Sequence, residues 1–306
     1  MHNEDFADAL RSLAAPYFLD GGGRESALGT RYDATTPDGT SVTIVRVHDR
    51  IITAMRDVDS FVRTLGSRAH RAAGVGGLPG AGVTPAGGVF VVGTRDDGAT
   101  LADRLALDGS IPSKDLTGIA INCASLLDDY CVAGVCHGLV MPQTVALVAQ
   151  DRVELRWGGL FTALRASGLS AAEIGRMLHF SSYLAPELLD GGVENVQSDV
   201  FSLGATLYES LTGRPPFGGR TTATIMAAVL ADNRENREHS ASAVIRTTIL
   251  RALERDPRDR WRDAAQFRDA LVPPVHVTTS PVAGRKGCLV PVVVGGLALV
   301  TWSVFR

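Results

Sequence analysis

The sequence predicts an α+β body of two lobes, a small sheet-rich one followed by a larger helical one, with a separate apolar segment behind them. Three observations carry this expectation. The run Ser41–Val47 reads SVTIVRV, is rich in β-branched residues and follows the turn residues Pro37, Asp38 and Gly39, as a strand does. From about Thr100 onward apolar residues recur at helical spacing, over 116–132, 200–211 and 244–253. Finally, residues 287–305 read GCLVPVVVGGLALVTWSVF, without one charge.

The remaining elements follow in order. Residues 89–92 form a second short apolar strand, and 145–147 with 153–155 bracket a turn at Gln150 and Asp151. The chain has 306 residues, 45% of them apolar, enough to bury a core without covalent staples. Thirty basic residues against 33 acidic ones give a net charge of -3, which argues against a general nucleic-acid binder. The four cysteines, Cys123, Cys131, Cys136 and Cys288, form no C-x-x-C pair and suit reduced thiols. Cys131, Cys136 and His137 lack a second ligand cluster for zinc, so they read as core residues. The opening residues are polar and acidic, unlike a signal peptide.

A helix over 287–305 rises roughly 28 Å, about the thickness of a bilayer's hydrocarbon core. It has no polar stripe, carries Trp302 near one end, and includes Pro291, Gly295 and Gly296, which lipid-embedded helices tolerate. Arg285 and Lys286 precede it and place the body in the cytoplasm. The expected layout is a leading segment 1–12, a small lobe 13–97, a large lobe 98–271, a proline-containing linker 272–286 and a single transmembrane helix 287–305.

The large lobe carries a set of ordered motifs. Tyr183, Leu184, Ala185, Pro186 and Glu187 are followed by SDVFSLG at 198–204, LTGRPPF at 211–217, and Asp256, Pro257 and Arg260. In this order and spacing the chain resembles a bacterial serine/threonine protein kinase of the eukaryotic type, over most of residues 13–271. The resemblance implies the bilobal protein kinase fold. It also implies an ion pair of Glu187 with Arg260, and an Asp199 that accepts hydrogen bonds from the backbone of the catalytic loop.

Phosphoryl transfer on this fold calls for a lysine on the phosphates, oxygen ligands for magnesium and an aspartate beside the acceptor hydroxyl. The catalytic-loop motif H-R-D-L-K-P-x-N falls on residues 137–144, with His137 and Pro142 fixing the register. Leu139 then stands for the catalytic aspartate and Thr144 for the metal-binding asparagine. Trp157 takes the place of the D-F-G aspartate, Val45 that of the strand lysine and Thr64 that of its glutamate partner. Asp151 is a distant candidate for a rescuing ligand.

Gly21, Gly22 and Gly23 read as a turn. Aligning Tyr32, Asp33 and Ala34 with the family's V-Y-x-A puts Arg24, Ser26 and Gly29 at the phosphate-loop glycine positions. Gly29 and, one residue from Val45, Arg46 are the candidates for nucleotide contact. The resemblance is thus to a degenerate member, a pseudokinase. Such a protein would be no enzyme, with no metal and at most weak or metal-independent ATP binding.

The expected role is a membrane-anchored, cytoplasmic protein-binding scaffold in serine/threonine phosphosignalling, linked to cell-envelope synthesis. Its expected partners are the membrane, an upstream active kinase and a phosphothreonine-binding forkhead-associated domain, and not nucleic acid. Thr278 and Thr279 in the linker are the candidate phosphoacceptors, each able to gain roughly -1.5 to -2 charge. Thr162, Ser167, Ser170, Ser181 and Ser182, before the A-P-E segment, read as plain polar residues. Two rival readings stand beside this one. The first is an atypical active kinase that recruits Arg46 and Asp151. The second is a structural partner of a membrane complex acting through its transmembrane helix.

Overall fold

The β-branched and aromatic runs of the first third pair into a twisted sheet, and its two faces meet different partners. The computed structural model describes residues 3–71, 80–95, 98–149, 152–234 and 242–272. The chain starts with helix α1 (Asn3–Arg11), followed by β1 (Phe18–Leu19), β2 (Arg24–Glu25), β3 (Gly29–Thr35) and β4 (Ser41–Val47). Helices α2 (Asp49–Ala54) and α3 (Val58–Arg71) come next, then β5 (Gly80–Val83) and β6 (Val89–Thr94). The sheet order is β1-β3-β4-β6-β5, antiparallel throughout, with β2 folded back on β3.

Alternation along β3 and β4 assigns the faces. Tyr32, Ala34 and Ile44 join Phe90 on one face, where Phe6 and Leu10 of α1 cover them. Val45 and Val47 point the other way, into the main core with Phe61 and Leu65 of α3. The leading segment 1–12 thus includes a helix packed on the small lobe. Its Phe6 and Leu10 recur at a helical interval of four, enough to fix it on the sheet.

The large lobe opens with β7 (Ala99–Thr100), α4 (Leu101–Asp108) and α5 (Ser113–Val132). Strands β8 (Val145–Ala149) and β9 (Arg152–Leu155) pair antiparallel, and β7 adds to β8. After them come α6 (Leu160–Ala166), α7 (Ala171–Met177), a single 3₁₀ turn (Ser181–Tyr183) and α8 (Pro186–Leu189). Helices α9 (Val196–Thr212), α10 (Thr222–Leu230), α11 (Ala243–Ala252) and α12 (Ala264–Leu271) complete it.

Helix α9 is the axis of this lobe and is buried on almost every side. Asn195 and Ser198 form a reciprocal capping box at its start, and Gly213 ends it in the left-handed conformation, φ 76°. This is the bilobal protein kinase architecture, a β-sheet lobe followed by a helical one. Among the described residues no helix is long and apolar enough to cross a membrane. The expected span 287–305 and most of the linker lie outside the described residues.

Gly29 leaves no room for a side chain beside β4: a Cβ there would lie 1.8 Å from the Arg46 carbonyl oxygen. Its missing side chain is a packing requirement of the strand pair. Gly29→Ala is therefore expected to destabilise the body by at least ~2 kcal/mol through overpacking, read as a lowered urea midpoint with unchanged slope.

Candidate functional site

The cleft between the lobes is organised from beneath by one carboxylate. Asp199, in the first turn of α9, accepts the His137 N–H at 2.8 Å and the Gly138 N–H at 2.7 Å. Both amides lie in the catalytic-loop segment, which would otherwise carry unpaired buried donors. Gly138 takes φ +74°, and a Cβ added there would lie 3.0 Å from the Cβ of Phe161. The His137 imidazole is fully buried, with Nε2 3.1 Å from the Arg156 carbonyl oxygen and Nδ1 accepting the Leu139 N–H at 3.2 Å. Burial pulls its pKa down to about 4, against a smaller upward push from the Arg156 carbonyl, so the ring is neutral. Pro142 closes the loop onto α4, its carbonyl accepting the Ala102 N–H at 3.1 Å.

The substituted positions can now be placed. Leu139 and Thr144 are buried and line the cleft, as do Val45 and Trp157. The Thr144 hydroxyl is turned into its own loop: it lies 2.7 Å from the Leu139 carbonyl oxygen and accepts the Met141 N–H at 3.1 Å. Trp157 has a positive φ of 66°, a conformation costly for a bulky side chain. Gly158 beside it leaves no room for a side chain, since a Cβ would meet the Tyr130 hydroxyl at 2.4 Å. Magnesium prefers hard oxygen ligands, and an indole with an internally bonded hydroxyl does not make such a set. Among the described residues no group of three or more His, Cys, Asp or Glu side chains is placed to hold a metal. Asp151 lies outside the described residues.

Thr64 on α3 is half-buried and is not part of the cleft wall. Arg46 is on the opposite face of the sheet, with its guanidinium carbon 5.7 Å from the centre of the Phe6 ring. Gly29 is in the β3–β4 ladder opposite Val47, outside the cleft lining. The nucleotide contacts expected of Arg46 and Gly29 are therefore not formed by this geometry: strand alternation turns the first away, and the second serves backbone packing. The cleft is a cavity of about 470 Å³, within the range of small-ligand sites. Its charged lining comes from Arg24, Glu25 and Arg31 of the β2–β3 hairpin, Asp103 of α4, Arg156 and His179; of these, motif reading singles out only Arg24, at a phosphate-loop position.

The segment between Trp157 and Pro186 is well packed. Leu160, Phe161, Ala163 and Leu164 of α6 are buried, and the Ser167 carbonyl accepts the N–H groups of Arg56 and Asp57 at the entry to α3. Ser170 caps α7 in a box with Glu173, the Ser167 hydroxyl bonds the Leu164 carbonyl, and that of Ser182 bonds the Phe217 carbonyl. Among the described residues, the buried hydroxyl oxygens of Thr162 and Ser181 have no hydrogen-bond partner.

At the far end of that segment Glu187 meets Arg260. The pair is bidentate, at 2.8 and 2.7 Å, and the Arg260 side chain is 0% exposed. Its other donors reach the carbonyls of Glu254, Gln197 and Arg255, so all five guanidinium N–H groups are engaged. The guanidinium also lies 4.9 Å from the centre of the Phe201 ring on α9.

Residues 165–270 match the protein kinase domain family. The serine/threonine-protein kinase PknB of Mycobacterium tuberculosis is 30% identical over 206 residues, 66% of this chain and 33% of the relative. That of Mycobacterium leprae is 30% identical over 199 residues, 64% of this chain and 32% of the relative. A probable serine/threonine-protein kinase PknB of Bifidobacterium longum is 25% identical over 186 residues, 60% of this chain and 27% of the relative. The chain spans about a third of the length of the first two.

These relatives correct one expectation. They are named as serine/threonine-protein kinases, so the reading of this chain as no enzyme, drawn from substitutions at five positions, does not stand. Substitution alone does not establish loss of turnover.

Two outcomes test the site's framework. Arg260→Ala strands the Glu187 carboxylate and is expected to cost about 3–5 kcal/mol in denaturant unfolding. His137, neutral when folded, titrates near 6.5 when unfolded and near 4 in place. Its contribution is therefore present above pH 6.5 and is lost as the pH falls toward 4, by up to about 3 kcal/mol. Stability measured across that window should fall less steeply in His137→Gln than in the parent protein.

The fold is bilobal and kinase-like, residues 165–270 match the protein kinase domain family, and 66% of the chain is similar to the mycobacterial serine/threonine-protein kinase PknB.

Proposed function

We propose that this chain is a membrane-anchored, kinase-like protein of serine/threonine phosphosignalling that presents its two-lobed body to protein partners at the cytoplasmic face of the membrane. The observation that carries this reading is the retained framework around a remodelled cleft. The Asp199 clamp and the Glu187–Arg260 pair hold the lobe surface in its kinase-like form. Residues 287–305 supply the anchor, and the basic pair Arg285 and Lys286 orients it.

The linker is the proposed point of regulation. Phosphorylation of Thr278 or Thr279 by an upstream kinase would add charge that an arginine-lined forkhead-associated domain grips. Cell-envelope synthesis is the process this docking would serve. A second reading, phosphoryl transfer by a non-standard residue set, is favoured by the names of the relatives and by the open, charged cleft.

Deleting residues 287–306 should move the protein from the membrane to the soluble fraction on centrifugation. Phosphate-dependent capture of a forkhead-associated partner should be lost in the Thr278→Ala, Thr279→Ala double variant; unchanged capture removes the linker from the proposal. Incubation with labelled ATP and magnesium separates the second reading. Label incorporation that disappears when Ala27→Trp fills the cleft supports turnover, and none in the parent protein removes it.

A further inference from the structure

Four positions that carry charge in the motifs described above are apolar in this chain, and the fold brings all four to one cavity. Val45 stands for the strand lysine, Leu139 and Met141 for the aspartate and lysine of the catalytic loop, and Trp157 for the metal-binding aspartate. Leu28, Leu160 and Leu178 complete this wall. With Val45, Leu139 and Met141 they are buried, at 8% exposure or less. The exposed side chains of the lining are of the opposite kind: Arg24, Glu25, Ser26, Asp103, Gln143 and His179 are all polar or charged. The cavity therefore runs from a hydrated polar mouth to an interior of mostly hydrocarbon.

Two polar side chains belong to the inner wall, and both are engaged within the protein. The Thr144 hydroxyl bonds the Leu139 carbonyl oxygen and accepts the Met141 N–H, and Arg156 is buried with interactions of its own. A polar group pushed inward would give up water against leucine, valine and methionine. An alkyl chain loses nothing there and gains with every methylene it buries. Leucine side chains and the unbranched, pliable Met141 suit the changing outline of such a chain.

We propose that this cavity is an acyl-chain site: it takes the single hydrocarbon chain of a fatty acid or a monoacyl lipid and leaves the head group at the polar mouth. The volume of about 470 Å³ is within the range of small-ligand sites. The inference rests on the remodelled cleft for its wall and on the anchored reading for its supply of lipid. The described body ends at Val272, and residues 273–286 separate it from the uncharged run 287–305. A segment of that length spans at most about 50 Å, so an anchored body stays near the bilayer.

Photo-crosslinking of the full chain in phosphatidylcholine vesicles tests it. The probes are a diazirine-bearing dodecanoic acid and a lysophosphatidylcholine with the same chain, and the labelled peptides are mapped. Label is expected on peptides that carry Leu139, Met141, Trp157 or Leu160, as well as on 287–305. The probe that labels the cleft tells whether a free acid or a lipid is the source. Leu139→Asp returns the motif's aspartate to the wall and should lower the cleft label at least tenfold, with the label on 287–305 unchanged. Ala27→Trp, which fills the cleft, should act alike, and Arg46→Ala, on the other face of the sheet, should label as the parent does. Melting curves check that each variant folds, and Leu139→Asn replaces the aspartate if its charge unsettles the loop.

Residues 1–271 form one compact unit, so a chain ending at 286 serves for calorimetry. From octanoate to decanoate to dodecanoate its affinity should rise about fourfold per methylene. Label confined to 287–305, equal cleft label in Leu139→Asp, or an affinity indifferent to chain length overturns the acyl-chain site and leaves the anchor standing. Cleft label without label on 287–305 supports the site and counts against the anchor alone.

Discussion

Two backbone amides on one buried carboxylate set the geometry from which the rest of the cleft follows. With Asp199 holding His137 and Gly138, the loop runs a fixed course past Leu139 and Thr144, and Phe161 closes against Gly138. The neutral His137 ring then ties this loop to the Arg156 carbonyl, and Gly159 donates back to the His137 carbonyl at 2.9 Å. Loop, strand end and activation segment are therefore linked through one side chain of α9. The Glu187–Arg260 pair does the same for the other end of the segment. Both devices satisfy backbone donors and buried charges whatever side chains point into the cavity, so the cleft wall is free to change while its framework stays.

The large lobe was legible because its framework residues carry polar side chains at fixed spacing inside apolar helices. Asp199 just before VFSLGATLYESL, or Arg260 after Asp256 and Pro257, is conspicuous, and the structure brings each to a partner more than sixty residues away. The cleft wall was legible position by position through His137 and Pro142. Strand facing was not. Val45 and Arg46 are adjacent, and only the packing of α1 shows which of them looks inward.

Local conformation was equally out of reach of residue type. A tryptophan at positive φ is not something a sequence pattern announces, and Trp157 adopts it because Gly158 and Gly159 follow in a turn packed on Tyr130. Helix α1 escaped notice because its two apolar anchors sit among charged residues near the start of the chain. Its contribution is tertiary, made on a sheet whose strands are distant in order.

That small helix also sets where the folded body begins. Phe6 and Leu10 roof the aromatic patch of Tyr32 and Phe90, and Arg46 rests on the roof. A recombinant fragment cut at residue 13, the boundary that motif matching suggests, would bare those rings to water and free an arginine beside them. The sticky surface so produced would belong to the truncation and not to the protein, and self-association of such a fragment would carry no message about physiological assembly.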